Sequence, residues 1–585
     1  MRNGRWRYWG PLSAVLVLAF GLRMWGIKQG LPYVYDVDEY GHFVPEAVAM
    51  FHRGLNPHYF INPPALTYFL HVVFGVWFGV LFGVLRSGSH PSIAHEFALH
   101  PDRFFLVARV TVALLGTASV WLLYLVGARL FNRALGLLAS TVMAVAFLPV
   151  FYGHLALNDA PTLLPLTLSL LGAAGVLRRG RMLDYLLAGV GLGLAAATKY
   201  TAGVMILPLL AAGVAQYRDG AREHRRDVAI GTGVALVAAL AAYLIANPYS
   251  LLDFHAFRAE LEVQSSYTEQ SRASWIGGPQ QGSFVYYLWS FTWGLGWIPA
   301  LAALGGAVTI WRRDRRVGWM LVPVAVLYLL FLSLQGRYFG RWLLPIFPIA
   351  CLLAASFALE VAGWAGRRTP RLRTTFVALA VIALVVQGVV YSIHSGLVLS
   401  RPDTRNLTRA WAVAHIPAGA KIVLEPVVPN AWLDKTGGDE VAHPRWVKFP
   451  ALRVVLNPAT GKPETANRTV ELEDYERTLG PALIGYYERE GYCWVVSGYT
   501  QAGRAFADPQ VVPHAITYYR ELARQGEVVY HVSPYSSGKS PVKFNFDWTF
   551  DYYPLAFHRP GPEMTVYRLH GGRCASVTEQ AGKSE

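Results

Sequence analysis

The chain has 585 residues, of which 54% are hydrophobic and only 15% are charged, and this balance excludes a soluble globular protein of this size. A formal net charge of +15 could indicate a nucleic-acid-binding surface, but the basic residues lie mostly in short clusters between apolar segments. The composition therefore predicts a polytopic α-helical membrane protein whose partners include membrane lipids and no nucleic acid.

Eleven apolar segments are suited to crossing a hydrocarbon core of about 30 Å, which needs about 20 residues of helix. They cover residues 11–27, 104–127, 134–151, 160–177, 184–198, 201–215, 228–246, 284–310, 318–334, 342–362 and 375–397. The basic clusters between them, such as RRGR and RRDRR, all fall on one side when the N-terminus is placed in the cytoplasm. We therefore expect an integral plasma-membrane protein with a cytoplasmic N-terminus and an uncleaved first segment, because no small-residue cleavage site follows that segment.

A further apolar run at residues 63–85 complicates this topology. If it spanned the membrane, every later basic cluster would move to the outer side. We therefore interpret it as a helix that lies along, or dips into, the outer interface. The first outer loop then extends over residues 28–103, and the membrane domain extends over residues 1–397.

Residues 398–585 form a separate extracytoplasmic domain. Helical runs at 403–415 and 513–525 alternate with short β-rich runs such as KIVLEP and CWVVSG, which predicts an α/β fold. Cys493 and Cys574 both lie in this domain, where they would form either a disulfide or two buried thiols. An aromatic run at 544–563, with Asp547 and Asp551, fits either a sugar-binding surface or the domain core.

Polar and ionisable residues gather in the outer loops and at the outer ends of the spans. They are Asp36, Asp38, Glu39, His42, His58, Asn62, Arg109, His154, Asp159, Lys199, Tyr200, Arg337 and Arg341. Taken singly, an acidic pair can keep a loop hydrated, a histidine can pack in a core, and a lysine can extend to the lipid headgroups. Taken together, carboxylates and cations at several helix ends indicate a site for a substrate with a lipid tail and a phosphate. Lys199 and an arginine would neutralise the phosphate, while a carboxylate accepts a proton from an attacking hydroxyl.

Five motifs occur in order between residues 11 and 350: DEYGHF, LNPHYFINPPALTYF, ARVTVALLGTASVWLLYLVGARLF, LALNDAP and GLAAATKYTAG. They resemble the integral-membrane glycosyltransferases of the GT-C fold. The similarity is greatest to glycosyltransferase family 39, the protein O-mannosyltransferases, and to the related lipid A aminoarabinose transferases. The resemblance implies a sugar donor on a polyprenyl phosphate and transfer on the extracytoplasmic side. It also implies helices lying along the membrane in the first outer loop.

The resemblance also implies roles for individual residues. Asp38 matches the catalytic base of the mannosyltransferases and Glu39 matches its neighbour. Arg109 matches an essential arginine, and Lys199 matches a lysine near the lipid phosphate, so that with Arg337 and Arg341 they form the expected phosphate-binding set. Asp159 matches an aspartate of an RMDMP-like step, although Leu-Asn precedes it here. The residues expected to bind or support the substrate are Asp36, His42, His58, Asn62, His154, Asp159 and Tyr200.

The implied reaction is a single inverting displacement. Because phosphate is already a good leaving group, one carboxylate base suffices and no general acid is needed, unlike in two-carboxylate glycosidases. Asp38, His42 and Asp159 could instead ligate a divalent metal, although some relatives work without one. Asn62 replaces a lysine of the aminoarabinose enzymes, which argues against that sugar.

The acceptor is a protein, a lipid or a glycan, and its identity is not readable from the sequence. The alternative from another functional class is a transporter or flippase of lipid-linked sugars. Such a protein would carry polar or broken segments near the middle of the membrane and an inverted repeat. The predicted spans are apolar in their middles, which favours the transferase.

Overall fold

The computed structural model describes residues 3–80, 92–219, 222–269, 275–279, 282–434, 444–456, 462–466, 469–536, 542–545 and 552–575. The chain divides into two compact units. The first contains residues up to 27, 41–270 and 282–396, and the second contains residues 28–40, 271–281 and those from 397 onward. The sequence-based boundaries, 1–397 and 398–585, instead placed 28–40 and 271–281 in the membrane domain.

The first 400 residues are mainly helical wherever they are described. The helices are α1 (Asn3–Met24), α2 (Val37–Gly41), α3 (Phe43–Arg53), α4 (Ala65–Phe78), α5 (Ile93–Leu99), α6 (Pro101–Leu130), α7 (Arg133–Val145), α8 (Phe147–Phe151), α9 (Asp159–Arg179), α10 (Met182–Thr198), α11 (Ile206–Asp219), α12 (Arg222–Ala246), α13 (Tyr249–Leu252), α14 (Phe254–Glu269), α15 (Ser283–Gly294), α16 (Trp297–Arg313), α17 (Arg315–Ser333), α18 (Phe347–Arg368) and α19 (Arg373–Leu399). Short 3-10 helices lie at Tyr152–His154, Tyr200–Met205, Gly340–Ile346 and Pro370–Leu372. All eleven predicted apolar segments are therefore helical.

Not all of these helices meet the length and composition required of a membrane span. Among the described residues 7 helices do so, or up to 9 if each of two bent pairs counts as one span. Two further segments, Tyr8–Met24 and Met182–Thr198, are shorter apolar helices. The predicted count of eleven is therefore not confirmed. In the run at 63–85, α4 has 14 residues, or about 21 Å of helix, and residues beyond 80 lie outside the described part.

The predicted span at 134–151 is bent by 61° where α7 meets α8. The bend follows from Pro149, which has no N–H to donate to the carbonyl of Val145 four residues earlier. The hydroxyl of Ser392, on α19, donates to that carbonyl at 3.0 Å in a buried position. A side chain from a distant helix thus satisfies the backbone group that the break leaves unpaired, as the membrane interior requires.

The prediction of one continuous span at 284–310 is wrong. The chain turns by 112° between α15 and α16, at Gly296, whose φ of +115° favours glycine. Gln387 of α19 bridges the break, since its carbonyl accepts from the N–H of Trp297 at 2.8 Å. Its amide donates to the carbonyl of Thr292 at 3.1 Å, so both sides of the break are satisfied.

Glycines set the close packing of α9, α10 and α12. A Cβ added to Gly189 or Gly193 would lie 2.1 Å from the carbonyl oxygen of Ala235 or Ala239, and a Cβ on Gly172 would lie 2.2 Å from the backbone nitrogen of Ala188. Only glycine allows the three helix backbones to approach so closely, in the manner of small-residue interfaces of membrane helices. This packing fixes the ends of α9 and α10 that carry Asp159 and Lys199.

The second unit has the α/β fold that was predicted. Its helices are α20 (Thr404–His415), α21 (Ala482–Glu490), α22 (Tyr499–Ala507) and α23 (Pro513–Gln525), and its strands are β1 (Lys421–Leu424), β2 (Val447–Lys448), β3 (Val454–Leu456), β4 (Pro463–Thr465), β5 (Trp494–Gly498), β6 (Glu527–Val532) and β7 (Met564–Arg568). Five strands form one sheet in the order β2-β1-β5-β7-β6, and β3 pairs with β4. β1 is parallel to β2 and β5, whereas β7 is antiparallel to β5 and β6.

A disulfide joins Cys493 to Cys574 across the end of this sheet, which decides between the two alternatives left open by the sequence. Both cysteines lie in an apolar cluster with Tyr475, Leu483 and Tyr518. Within the aromatic run at 544–563, Asp547 and Asp551 lie outside the described residues.

Candidate functional site

The first acidic loop forms a short helix in the second unit. The carboxylate of Asp36 accepts from the N–H of Glu39 at 2.9 Å, and its carbonyl accepts from the N–H of Tyr40. Asp36 therefore caps α2, as aspartate commonly does at a helix start. Asp38 is half-buried and Glu39 is fully buried, so α2 holds both carboxylates in defined positions.

The next predicted residues, His42, His58 and Asn62, lie in the first unit. The ring of His42 stacks on Tyr59 with 5.0 Å between centroids, and the amide of Asn62 donates to the Tyr59 hydroxyl at 2.7 Å. His58, at φ +47°, lies 4.0 Å from the carboxylate of Asp253. Tyr59 thus brings His42 and Asn62 together.

Two carboxylates hold this segment: Asp253, which directly precedes α14, and Glu260, which lies on α14. Glu260 accepts from the backbone N–H groups of Phe60 and Ile61, the latter at 2.9 Å. Asp253 accepts from the Asn56 amide at 2.8 Å, and this hydrogen bond lowers the pKa of Asp253. Neither residue was among those predicted from the sequence. The available signal was their position as acidic side chains on the amphipathic run DFHAFRAELEV.

Three predicted residues from distant parts of the chain form an ion cluster. The ammonium of Lys199 donates to the carboxylate of Asp159, and the guanidinium of Arg341 lies 3.7 Å from the same carboxylate. The Asp159 side chain is 4% exposed, whereas Lys199 and Arg341 are 13% and 17% exposed. The cluster therefore has a buried anion and partly accessible cations.

Side-chain hydrogen bonds between the neighbouring segments explain why these residues meet. Asn158 directly precedes α9, and its side-chain amide donates a hydrogen bond of 2.8 Å to the carbonyl of Thr198 at the end of α10. This bond ties the start of one helix to the end of the next, beside Asp159 and Lys199. Tyr328 of α17 contacts the Thr201 hydroxyl at 3.2 Å and donates to the carbonyl of Trp342 at 3.0 Å.

Aromatic contacts bring Arg337 beside Arg341. Their guanidinium carbons lie 5.3 Å and 4.7 Å from the centroid of the Phe339 ring, within the range of cation–π attraction. Tyr200 links the cluster to the first outer loop, because its hydroxyl donates to the carbonyl of Phe60 at 2.9 Å. Arg337 and Arg341 therefore share one aromatic ring, and Arg341 also faces the carboxylate of Asp159.

Arg109 and His154 occupy a different position. Arg109 is 1% exposed and donates to the carbonyl of Ile27 at 2.9 Å. His154 is fully buried, with Nε2 3.0 Å from the carbonyl oxygen of Trp25 and Nδ1 3.3 Å from that of Phe151. Both residues hold the chain where α1 ends. Both side chains therefore anchor the backbone here, while the phosphate contact expected for Arg109 and the substrate contact expected for His154 stay predictions.

Among the described residues, no three His, Cys, Asp or Glu side chains lie close enough together to hold a metal ion. The alternative metal-ligand set of Asp38, His42 and Asp159 therefore has no cluster to support it. The Asp159 carboxylate instead faces the two cations described above.

Comparisons with known proteins agree with a helical membrane protein that resembles glycosyltransferases. The model of the dolichyl-phosphate-mannose-protein mannosyltransferase family matches residues 97–246. The apo crystal structure of the Archaeoglobus fulgidus oligosaccharyltransferase is 13% identical, with a TM-score of 0.50 over 92% of this chain and 75% of that one. ArnT from Cupriavidus metallidurans in the apo state is 17% identical, with a TM-score of 0.42 over 67% of this chain and 71% of that one. A search of curated proteins found no match.

The likeness to the archaeal oligosaccharyltransferase covers nearly the whole chain and shows a shared fold. The fold class predicted from the sequence, helical membrane spans followed by an α/β domain, is thereby confirmed. The transporter alternative receives no support from these comparisons. The chain is an integral membrane protein with the GT-C fold of membrane glycosyltransferases, and it is similar to glycosyltransferase family 39.

Proposed function

We propose that the chain is a glycosyltransferase that moves a sugar from a polyprenyl-phosphate donor to a hydroxyl acceptor on the extracytoplasmic face. Its acceptor class is a protein, lipid or glycan hydroxyl. The match of residues 97–246 to a family named for its dolichyl-phosphate-mannose donor supports a lipid-phosphate donor, with hexose and pentose both allowed.

The observation that carries this proposal is the cluster of Lys199, Arg341 and Asp159. Because Asp159 is buried and both cations are partly accessible, the carboxylate would orient the cations and a phosphate could reach their exposed parts. Arg337, which shares the Phe339 ring with Arg341, would add a further positive charge beside it. A lipid phosphodiester carries one negative charge, and these cations would stabilise the charge that grows on it as it leaves.

In the proposed reaction the acceptor oxygen attacks the anomeric carbon as the bond from that carbon to the phosphate oxygen breaks. The acceptor proton passes to the carboxylate of Asp38, and polyprenyl phosphate leaves with the electron pair. Glu39 would orient Asp38 or the acceptor, while Asp36 caps the helix that holds both. One displacement inverts the anomeric configuration. His42, Asn62, His58 and Tyr200, joined through Tyr59 and Phe60, would support the sugar-binding side.

The test is transfer from synthetic polyprenyl-phosphate hexoses and pentoses by the purified chain in detergent. We expect Asp38→Asn to lower the rate by at least about 100-fold, the usual contribution of a positioned general base. Glu262→Gln, which alters an exposed carboxylate on α14, should leave the rate unchanged. Undiminished transfer by Asp38→Asn would remove Asp38 as the base, and retention of the anomeric configuration in the product would exclude a single displacement.

A further inference from the structure

We propose that Asn406 and Arg405, on α20, are positioning residues that set the placement of Asp38. This inference rests on the function proposed above, in which Asp38 is the base. Its starting point is that residues 28–40 pack as part of the α/β unit, although they directly follow the first predicted span. The α/β domain would then have a role in catalysis.

Asn406 makes three hydrogen bonds to this segment. Its amide donates to the carbonyls of Gly30 and Leu31 at 3.1 Å and 3.2 Å, and its carbonyl accepts from the hydroxyl of Tyr35. The side-chain N–H groups of Asn406 and its side-chain carbonyl therefore all form hydrogen bonds with residues more than 370 positions away. Such an arrangement fixes the register of the segment, because any shift breaks several bonds at once.

Arg405 holds the other face of Tyr35. Its guanidinium carbon lies 3.7 Å from the ring centroid, and the same guanidinium makes a bidentate pair with Asp403 at 2.9 Å and 2.8 Å. The Asp403 side chain is 2% exposed and that of Arg405 is 11% exposed, so the stack is shielded from water. Shielding from water strengthens a cation–π contact of this kind.

Tyr33 anchors the same segment in the core of the α/β unit. It packs with Ile422 and Trp432, and the guanidinium carbon of Arg409 lies 5.1 Å from its ring centroid. Burial, followed by the charge of Asp403, raises the pKa of Tyr35, so its hydroxyl remains a neutral donor to Asn406. Two tyrosines at alternate positions therefore bind the segment to the domain.

The backbone conformation of residues 28–40 links the Tyr35 contacts to the position of Asp38. Gly30 has φ +73°, and a Cβ there would lie 2.9 Å from the Tyr35 ring, so the turn requires glycine. Tyr35 immediately precedes Asp36, whose carboxylate caps the helix containing Asp38. Only two residues, Asp36 and Val37, separate the Tyr35 anchor from Asp38, which leaves little freedom for the carboxylate to move independently.

Hydrogen exchange on the whole chain in detergent tests the anchoring without reference to activity. We expect Asn406→Ala and the milder Tyr35→Phe to increase amide exchange in residues 28–40. Asn430→Ala, which changes an exposed asparagine of the same unit, should leave that exchange unchanged. Exchange at 28–40 that is the same in all four proteins would overturn the proposed anchoring.

Steady-state kinetics tests the consequence for Asp38. We expect Asn406→Ala and Tyr35→Phe to lower kcat by about 10- to 100-fold, the cost of a misplaced catalytic group, with the donor KM unchanged. In an Asp38→Asn background the same changes should cause no further loss, because their effect acts through Asp38. A further loss of equal size in that background would overturn the proposal. Full activity of Asp38→Asn alone would overturn the proposed base, while the exchange result would still decide the anchoring.

Discussion

The ammonium of Lys199, at the end of α10, donates a hydrogen bond to the carboxylate of Asp159, at the start of α9. Arg341 approaches the same carboxylate from a third part of the chain, at 3.7 Å. The buried anion orients both cations, and without it their mutual repulsion would drive them apart. We regard this cluster as the receptor for the phosphate of the donor.

The cluster should behave as a unit when its members are replaced. We expect Asp159→Asn and Lys199→Met each to lower the transfer rate by about 100-fold, since each removes or misplaces charge stabilisation of the leaving phosphate. The double variant should be little worse than the poorer single variant, because the two changes damage the same arrangement. Rate measurements on the three proteins check this, with Arg258→Met as an exposed control. Effects that multiply would show that the two residues act independently.

The α/β unit should lose stability as the pH rises from about 4.5 to about 7. Burial raises the pKa of Glu425 to about 7 from an ordinary value of 4.5, while hydrogen bonds from Gly498, Ser497 and Tyr519 oppose that rise. Between these two values the unfolded chain loses the proton and the folded chain keeps it, so the free energy of unfolding falls with pH. The fall is on the order of 3 kcal/mol for this group.

Hydrogen exchange in β1 and β5, corrected for the intrinsic pH dependence of exchange, measures this fall. Burial raises the pKa of Glu476 to about 7 as well, so Glu425→Gln should reduce the fall without abolishing it. Glu464→Gln, at an exposed position, should leave it intact. Stability that increases from pH 5 to pH 8 in the wild-type chain would contradict the burial of these protonated carboxyls.

Loss of the disulfide should destabilise the α/β unit alone. The bond between Cys493 and Cys574 closes a loop with a sequence separation of 81 residues, and such bonds typically contribute about 2–4 kcal/mol. We expect replacement of both cysteines by serine to accelerate exchange in β5 and β7 while leaving α9 and α10 protected. A reducing agent should affect the wild-type chain but not the variant. Equal sensitivity of both proteins would mean that another effect of the reductant dominates.

Packing of the helical unit should be sensitive to single methyl groups. Gly189→Ala would place a Cβ 2.1 Å from the carbonyl oxygen of Ala235, and overpacking of this kind costs about 1–3 kcal/mol. Gly233→Ala on α12 meets no atom within 4 Å and should be neutral or slightly stabilising, because alanine favours the helix. Thermal unfolding of the two variants in detergent compares them directly. A lower midpoint for Gly233→Ala than for Gly189→Ala would contradict the packing.

The sequence predicted the helices well and their breaks poorly. Hydropathy reports the length of an apolar run, whereas the bends at Pro149 and Gly296 depend on whether a distant side chain can satisfy the interrupted backbone. Ser392 and Gln387 do so from α19, and no local pattern reveals that pairing.

Only part of the candidate site could be predicted from the sequence, because distant contacts also determine the rest of it. Topology alone placed Asp159, Lys199 and Arg341 on one side of the membrane, and the structure brings them together. The anchors of the first outer loop were missed, since Glu260 acts through backbone N–H groups 200 residues earlier in the chain. The assignment of residues 28–40 to the α/β unit likewise depends on the contact between Tyr35 and Asn406.

A single-turnover experiment decides between transfer, transport and another donor. The purified chain would be loaded with a polyprenyl-phosphate sugar labelled in both the sugar and the lipid, and then mixed with an acceptor mixture of peptides, lipids and glycans. We predict release of unglycosylated polyprenyl phosphate in step with labelling of one acceptor, and loss of both signals in Lys199→Met. An intact donor in detergent together with its movement across reconstituted vesicles, or transfer from a nucleotide sugar alone, would contradict the proposed function.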